Sequence, residues 1–269
     1  MNLSIIIVNY NTGPLTRACV TSILQQRLPW PVEIIVIDNA SRDESVAFLR
    51  SDFPEITVVD QERNVGLAAA VNRGLQQGQG NYYLILNPDV IVLPGAIEAM
   101  IGYLEREKDV GMVGGQLISP NGTIQDSCYR FYTPMTILYR RTWLGRTRRG
   151  KQVIARFLMK DFDHLSIKDV DWLMGACLMV RAAAVKHVGG MDERYFLYFE
   201  DVDWCRRFWQ AGWRISYVPG ARFSHYHQRS SQQDFLIGSL TNWVVREHII
   251  SGLKYFWKFR GQSWPRYTG

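Results

Sequence analysis

The feature that most narrows what this chain can fold into is a pattern repeated through its first half. An apolar run ends in a cluster of asparagine and acid, and a helix-forming stretch follows. SIIIV runs into NYN, IIVI into DNASRD, ITVV is soon followed by RNVG, and LIL runs into NPD. Apolar runs with little polar alternation, separated by helices, predict a mostly parallel sheet covered by helices on both faces. Residues 5–8, 32–37, 56–59, 82–86 and 110–118 read as strands. Residues 14–26, 66–77 and 94–107 read as helices, and Ser41 or Asp43 can cap another that runs to Leu49. Ligands of such sheets sit beyond the carboxyl ends of the strands. The four polar clusters should therefore converge on one rim.

Beyond residue 118 the pattern weakens. Arg140, Arg141, Arg146, Arg148, Arg149, Lys151, Arg156 and Lys160 fall in one span with no acid among them, and account for much of the net charge of +6. This span, 119–170, reads as a basic excursion, partly mobile. Regularity returns with an extended stretch at 171–180, a helix at 182–188, a helix at 200–210, an extended stretch at 213–218 and mostly helix at 233–259. The expected organisation is a regular first half (1–118), the excursion (119–170), a second regular stretch (171–231) and an amphipathic helical segment (232–269). Hydrophobic residues make up 47% of the chain, enough for a sizeable core. No apolar run reaches the roughly 20 residues of a spanning helix. The first residues read as a strand and not as a signal peptide. Scattered cysteines without a CxxC pair suit a reducing compartment.

Each polar cluster has an ordinary use beside a chemical one. Asn9, Asn11 and Asn39 are of a type that commonly forms turns. Asp38 stands where an acid caps a helix. Asn64 before Gly66 reads as an N-cap, and equally as a close backbone approach to phosphate at a helix N-terminus. Asn72 and Arg73 lie about two turns further on. Pro88 cannot donate to a ladder, so pairing should stop at Asn87-Pro88-Asp89. Asn87 and Asp89, two apart, point to the same side of an extended chain. Glu200, Asp201 and Asp203 open a helix, whose positive end favours acids. Burying them beside Tyr198 and Phe199 is costly unless they have partners or work.

Taken in order, SIIIVNYN, IIVIDNASRD, RNVGLAAAVNRG, LILNPDV, WLMGACLMVR, GGMDERYFLYFEDVDWCRR and HYH resemble the family-2 inverting glycosyltransferases of GT-A fold, and among them rhamnosyltransferase-like members. The resemblance spans residues 3–231 and rests on the ordered set, since each motif alone is weak. It implies an α/β nucleotide-diphospho-sugar transferase fold. It implies that Asp38 bonds the nucleotide base, that Asn9, Tyr10 and Asn11 lie against the nucleotide, and that Asn39, Asn64, Gly66, Asn72 and Asn87 serve the donor side. Asn87 and Asp89 stand where the fold usually carries Asp-x-Asp holding Mg2+ or Mn2+ on the diphosphate. Asparagine there loses a charge, so metal affinity without donor should be weak. His225 would complete the metal site, His227 has less claim, and Arg229 and Ser230 would close over the diphosphate. The general base is expected at Asp201, with Glu200 orienting the acceptor or tuning its partner. Trp172, Gly175, Asp192 and Glu193 would line the acceptor side, although a core role for Trp172 is an equally good reading.

The expected activity is inverting transfer of a sugar, L-rhamnose from dTDP-rhamnose, onto a saccharide or lipid-diphosphate-linked acceptor in cell-surface polysaccharide synthesis. Asp38 is compatible with a UDP donor too. The basic and aromatic surfaces suggest peripheral contact with the inner face of the plasma membrane from the cytoplasm. No nucleic-acid partner is expected, and a homodimer is compatible with the chain. The competing classes are a nucleotidyltransferase, for which NYNTGP is a poor phosphate loop, and a nucleic-acid-binding protein, which leaves the polar rim unexplained. An oxidoreductase is disfavoured because no GxGxxG follows the first strand.

Overall fold

The computed structural model describes residues 2–226, 243–263 and 265. In chain order, β1 (Leu3–Asn9), α1 (Gly13–Leu24), β2 (Val32–Asp38), α2 (Ser45–Asp52), β3 (Thr57–Asp60), α3 (Leu67–Gln77) and β4 (Tyr82–Leu86) form the first half. Then come β5 (Val90–Val92), α4 (Ala96–Arg106) and β6 (Val110–Ile118). The excursion holds β7 (Cys128–Tyr129), α5 (Pro134–Arg141), α6 (Arg148–Phe157) and β8 (Lys168–Asp169). The chain continues through β9 (Trp172–Leu173), β10 (Cys177–Arg181), α7 (Ala182–Val188), α8 (Glu200–Gln210), β11 (Arg214–His225) and α9 (Trp243–Lys258).

The main sheet runs β3-β2-β1-β4-β10-β6-β11-β5, with β8 also on β11. β1, β2, β3 and β4 are parallel, as the apolar runs predict. Beyond β4 the sheet is mixed. β10 is antiparallel to both β4 and β6, and β5 is antiparallel to β11. The expectation of a mostly parallel sheet thus describes the first half better than the second. The reversal has a use. β10 begins where β4 ends, so the loop before β10 lies on the same rim as Asn87.

Alternate residues of β1 feed opposite faces, as strand geometry requires. Leu3, Ile5 and Ile7 pack with Cys19, Val20 and Ile23 of α1 and with Ile97 and Met100 of α4. Ile6 and Val8 pack with Ala70 and Val71 of α3, and the same core continues to Trp204 of α8 and Tyr255 of α9. The basic excursion is built, not featureless. Thr133 caps α5 by accepting from Thr136 N, with Pro134 in the first turn, and Thr147 caps α6 by accepting from Gly150 N. Among the described residues, no helix is long and apolar enough to cross a membrane.

One irregularity sets the position of the site. β11 runs parallel to β6, but its register jumps between Val218 and Arg222. Such a bulge re-aims the strand that follows. Here it delivers His225 opposite Val90, the residue after Asp89. Gly115 faces the bulge. A Cβ there would stand 2.5 Å from the Ala221 carbonyl oxygen and 2.5 Å from the Phe223 ring. Gly115→Ala should therefore lower stability by about 1–3 kcal/mol, the usual cost of overpacking. Urea unfolding of the variant beside the parent chain checks this, and an unchanged midpoint would remove the glycine from the account of the bulge.

Candidate active site

Three strand ends build one side of the rim. At the end of β1, the Asn9 amide donates to Asp38 Oδ2 at 2.6 Å and to Ser41 Oγ at 3.1 Å, while its oxygen accepts from Thr12 and Thr16 hydroxyls at 2.8 and 2.7 Å. Asp38 Oδ1 accepts from Ser41 N at 2.8 Å. Asp38 is fully buried, with both oxygens engaged. Asn9 and Asp38 thus frame the rim, and it is Tyr10 and Asn11 that stand exposed on it. Asn11 adopts φ 53, a left-handed conformation that asparagine tolerates, and its side chain accepts from Arg42 N at 2.7 Å. Asn39 joins β2 to the start of α3: it donates to Asn64 Oδ1 at 2.9 Å and accepts from Val65 N at 3.0 Å.

Gly66 explains itself sterically. Its φ is +85, and a Cβ would lie 2.6 Å from the Phe196 carbonyl oxygen. That oxygen accepts from Leu67 N at 2.9 Å, so the first turn of α3 abuts the loop before α8. Asn72 does the same work about two turns on. Its amide donates to Met191 O and to Glu193 Oε1, both at 2.8 Å, and accepts from Met191 N at 2.7 Å. The structure thus ties Asn72 to the 190–193 loop.

At the end of β4, Asn87 N donates to Ala176 O at 2.9 Å, and Asp89 O accepts from Tyr226 N at 3.0 Å. The register brings Asp89 Oδ2 within 3.5 Å of His225 Nε2. Gln125 decides which face His225 presents. The Gln125 amide nitrogen donates to His225 O and to Ser119 Oγ, each at 2.9 Å. Its oxygen therefore faces His225 Nδ1 at 2.8 Å, and that ring nitrogen must be the donor. In the neutral ring, Nε2 then turns a lone pair toward the Asp89 carboxylate. Two acceptors so placed suit a shared cation, and an outer amide that fixes the tautomer is a familiar support for a histidine ligand. Among the described residues, no group of three or more His, Cys, Asp or Glu side chains is placed to hold a metal. The pair fits a hard divalent ion only if a substrate supplies the remaining oxygens. His227, Arg229 and Ser230 lie outside the described residues.

Opposite Asn87, the loop before β10 meets the start of α8. Gly175 N donates to Asp201 Oδ2 at 3.0 Å, and Val202 N donates to Oδ1 at 2.8 Å. Gly175 is one residue from Ala176, which holds Asn87 N, so the two acidic stations share a rim. Tyr198 and Phe199 both adopt φ 68. Bulky residues pay for that conformation, and strain of this kind gathers at functional sites. Glu200 is buried and its Oε2 has no hydrogen-bond partner. Burial first, and the Asp201 charge second, push the Glu200 carboxyl well above its ordinary range. Burial also pushes Asp201 up to about 6, against the backbone N–H groups that favour its charged form. Burial thus raises the proton affinity of both carboxyls.

Two expectations for the acceptor side need correction. Trp172 is buried, not open to a sugar. Its ring stacks on Tyr129 with centroids 4.4 Å apart, and its N–H donates to Arg130 O at 2.8 Å. Asp192 is spent on ion pairs with Arg194 at 2.6 Å and Lys258 at 2.7 Å. Those partners hold its carboxyl well below the usual range despite partial burial. Asp203, the third acid of the motif, is fully buried and paired with Arg207 at 2.7 Å and with Lys258. Glu193 stays exposed.

Sequence reading missed Gln125 and Lys258. Gln125 lies 100 positions from its histidine, and nothing local marks it. Lys258 sits in an aromatic-basic stretch that reads as surface until its acids are known. With it, α9 braces the loop that leads into Glu200 and Asp201. Ser251 Oγ donates to Leu197 O at 3.0 Å, Lys254 to Arg194 O at 2.6 Å, and His248 stacks on Tyr198 with centroids 4.7 Å apart.

Comparison with known proteins shows the family and the fold. The family described as Glycosyl transferase family 2 matches residues 4–166, and Glycosyl transferase family group 2 matches residues 114–262. The N-acetylglucosaminyl-diphospho-decaprenol L-rhamnosyltransferase of Mycobacterium tuberculosis is 29% identical over 260 residues, covering 86% of this chain and 78% of that protein. Rhamnosyltransferase WbbL of Escherichia coli K12 is 26% identical over 195 residues, 70% of each chain. Among solved structures, GalNAc-T7 with UDP, GalNAc and Mn2+ superposes with a TM-score of 0.67 at 17% identity, over 93% of this chain and 47% of that one. This chain thus spans about half of that structure. Staphylococcus aureus TarS superposes with a TM-score of 0.57 at 14% identity, over 97% and 76%. Identities that low speak for the fold alone. A family match across more than half of the sequence, joined to relatives aligned along most of its length, makes this chain a member of glycosyl transferase family 2, rhamnosyltransferase-like in sequence and GT-A in fold.

Proposed function

We propose that the chain moves L-rhamnose from dTDP-rhamnose, with inversion, onto a sugar borne by a lipid diphosphate, as a step in cell-surface polysaccharide synthesis. The observation that carries this reading is the pair of acidic stations on one rim, Asp89 beside His225 and Asp201 beside Glu200, bridged by Asn87 N on Ala176 O and Gly175 N on Asp201. The sugar and acceptor class are supported by the mycobacterial relative, whose name specifies L-rhamnose and a diphospho-decaprenol-linked N-acetylglucosamine. A cytoplasmic site against the inner face of the plasma membrane suits such a pair of substrates.

The donor lies along the ends of β1, β2 and β4, its nucleotide against Tyr10 and Asn11 and its diphosphate toward Asn87 and Asp89. Asp89 and His225 would hold Mg2+ or Mn2+, which supplies Lewis-acid stabilisation of the leaving diphosphate when bound. Asp201 takes the proton of the acceptor hydroxyl as its oxygen attacks the anomeric carbon from the opposite face. The sugar–phosphate bond breaks, and its electron pair leaves with the diphosphate. Glu200, whose proton affinity burial and the Asp201 charge both raise, sits beside that base and tunes it.

Asp201→Asn should lower kcat by about 10²–10⁴-fold, the worth of a general base, with the donor KM little changed. A base must be ionised to work, so kcat/KM of the parent chain should rise with pH through about 6 and level off above it. Asp201→Asn should lack that limb, and an identical limb in the variant would move the base elsewhere. Asp203→Ala, by contrast, should act on stability. It leaves Arg207 without its acid and Lys258 with Asp192 alone, at a cost of about 3 kcal/mol in urea unfolding. Asp89→Ala should abolish transfer and also the joint thermal shift given by dTDP-rhamnose with Mn2+. A screen of dTDP- and UDP-sugars with and without Mn2+ or Mg2+ names the donor, and a shift with donor that ignores the ion would remove Asp89 from the metal assignment.

A further inference from the structure

α5 and α9 enclose a groove of about 390 Å³ that the chemistry above does not use. That volume lies at the lower end of the range for small-molecule sites. Its walls are apolar, with Ile137 and Leu138 on α5 facing Ile249, Leu253 and Phe256 on α9. Leu253 is 67% exposed, Ile249 42% and Leu138 40%. Large apolar side chains left open together mark an interaction site. Arg140 and Arg141 also line the groove, and among the described residues no acid does. The charge extends outward, because residues 127–160 contain no Asp or Glu.

The cationic part of the groove adjoins the base. Arg141 Nη2 lies 2.6 Å from His248 Nδ1, and the His248 ring stacks on Tyr198. Arg140 Nη1 donates to the Tyr132 hydroxyl at 2.8 Å, and the Tyr132 ring packs on Phe199 with centroids 5.0 Å apart. Tyr198 and Phe199 run straight into Glu200 and Asp201. Carboxylate, arginines and apolar walls therefore follow one another in space. A glycolipid acceptor carries its hydroxyl, its phosphates and its hydrocarbon in that same order.

We propose that this groove receives the acceptor's lipid diphosphate: Arg140 and Arg141 pair with the phosphates, and the α5–α9 walls take the first part of the prenyl chain. The assignment rests on the acceptor class given above. Arginine suits phosphate oxygens because its planar donors pair with them two at a time. Burying a few isoprene units between leucine and isoleucine walls adds affinity that a soluble sugar cannot draw on. A cavity with cations beside it fits one chain and its head better than the flat face of a bilayer.

Direct binding tests this without turnover. The whole chain, saturated with dTDP to fill the donor side, is titrated with farnesyl diphosphate, farnesol and inorganic diphosphate. Farnesyl diphosphate should bind at least about tenfold more tightly than either half alone. Leu253→Glu puts a carboxylate on the groove wall at an exposed position, so the fold is kept. It should weaken farnesyl diphosphate by about tenfold or more and leave dTDP binding unchanged. Arg140→Gln combined with Arg141→Gln should weaken farnesyl diphosphate but not farnesol. Equal affinity of the parent chain and Leu253→Glu would overturn the proposal. So would inorganic diphosphate binding as tightly as farnesyl diphosphate, or variants that lose only their retention on phosphatidylglycerol vesicles. Failure of the transfer reading looks different: no sugar nucleotide is consumed with any acceptor, while farnesyl diphosphate still binds in the groove as described.

Discussion

The site depends on the antiparallel ladder between β4 and β10. It is where the parallel half of the sheet, with its polar rim, is joined to the half that carries Glu200 and Asp201. Cys177 pairs with Leu86, so the residues just before β10 lie against those just after β4. From that one register follow the bond from Asn87 to Ala176 and the seat of Asp201 on Gly175. A slip of one residue would turn every side chain of β10 to the other face and remove the seat. The spacing between Asn87 and Asp201 is thus set by hydrogen bonds of the backbone at residues 175 and 176.

Polar residues around the cleft divide by what they touch. Asn9, Asp38, Asn39 and Asn72 bond to protein and fix the loops. Glu200 and Asp201 are held in poor surroundings for charge, one of them without a hydrogen-bond partner at a buried oxygen. Burying carboxyls without full pairing costs stability, and proteins keep such groups where function needs a shifted proton affinity. Asp203, two residues on, shows the contrast. Fully paired, it serves the fold.

Much of this was legible in the sequence. The parallel half could be read because its strands are continuous apolar runs between helices, and β4, β6, α7 and α8 fall where the pattern puts them. The rim followed from the rule that loops at strand ends face the ligand. The reversal of β10 was not legible, since LMV in a buried antiparallel strand looks like any other apolar run. Nor were the fates of Trp172 and Asp192, which depend on Tyr129 and Lys258, partners that lie far off in the chain. Local sequence shows that an acid is present. It cannot show whether a distant lysine has already claimed it.

Tyr198 and Phe199 hold left-handed backbone just before Glu200 and Asp201, and His248 and Tyr255 of α9 pack against them. Bulky residues keep that conformation only where their surroundings over-determine it. A change on α9 that loosens this packing would therefore be felt at the two buried acids through the backbone, without touching either.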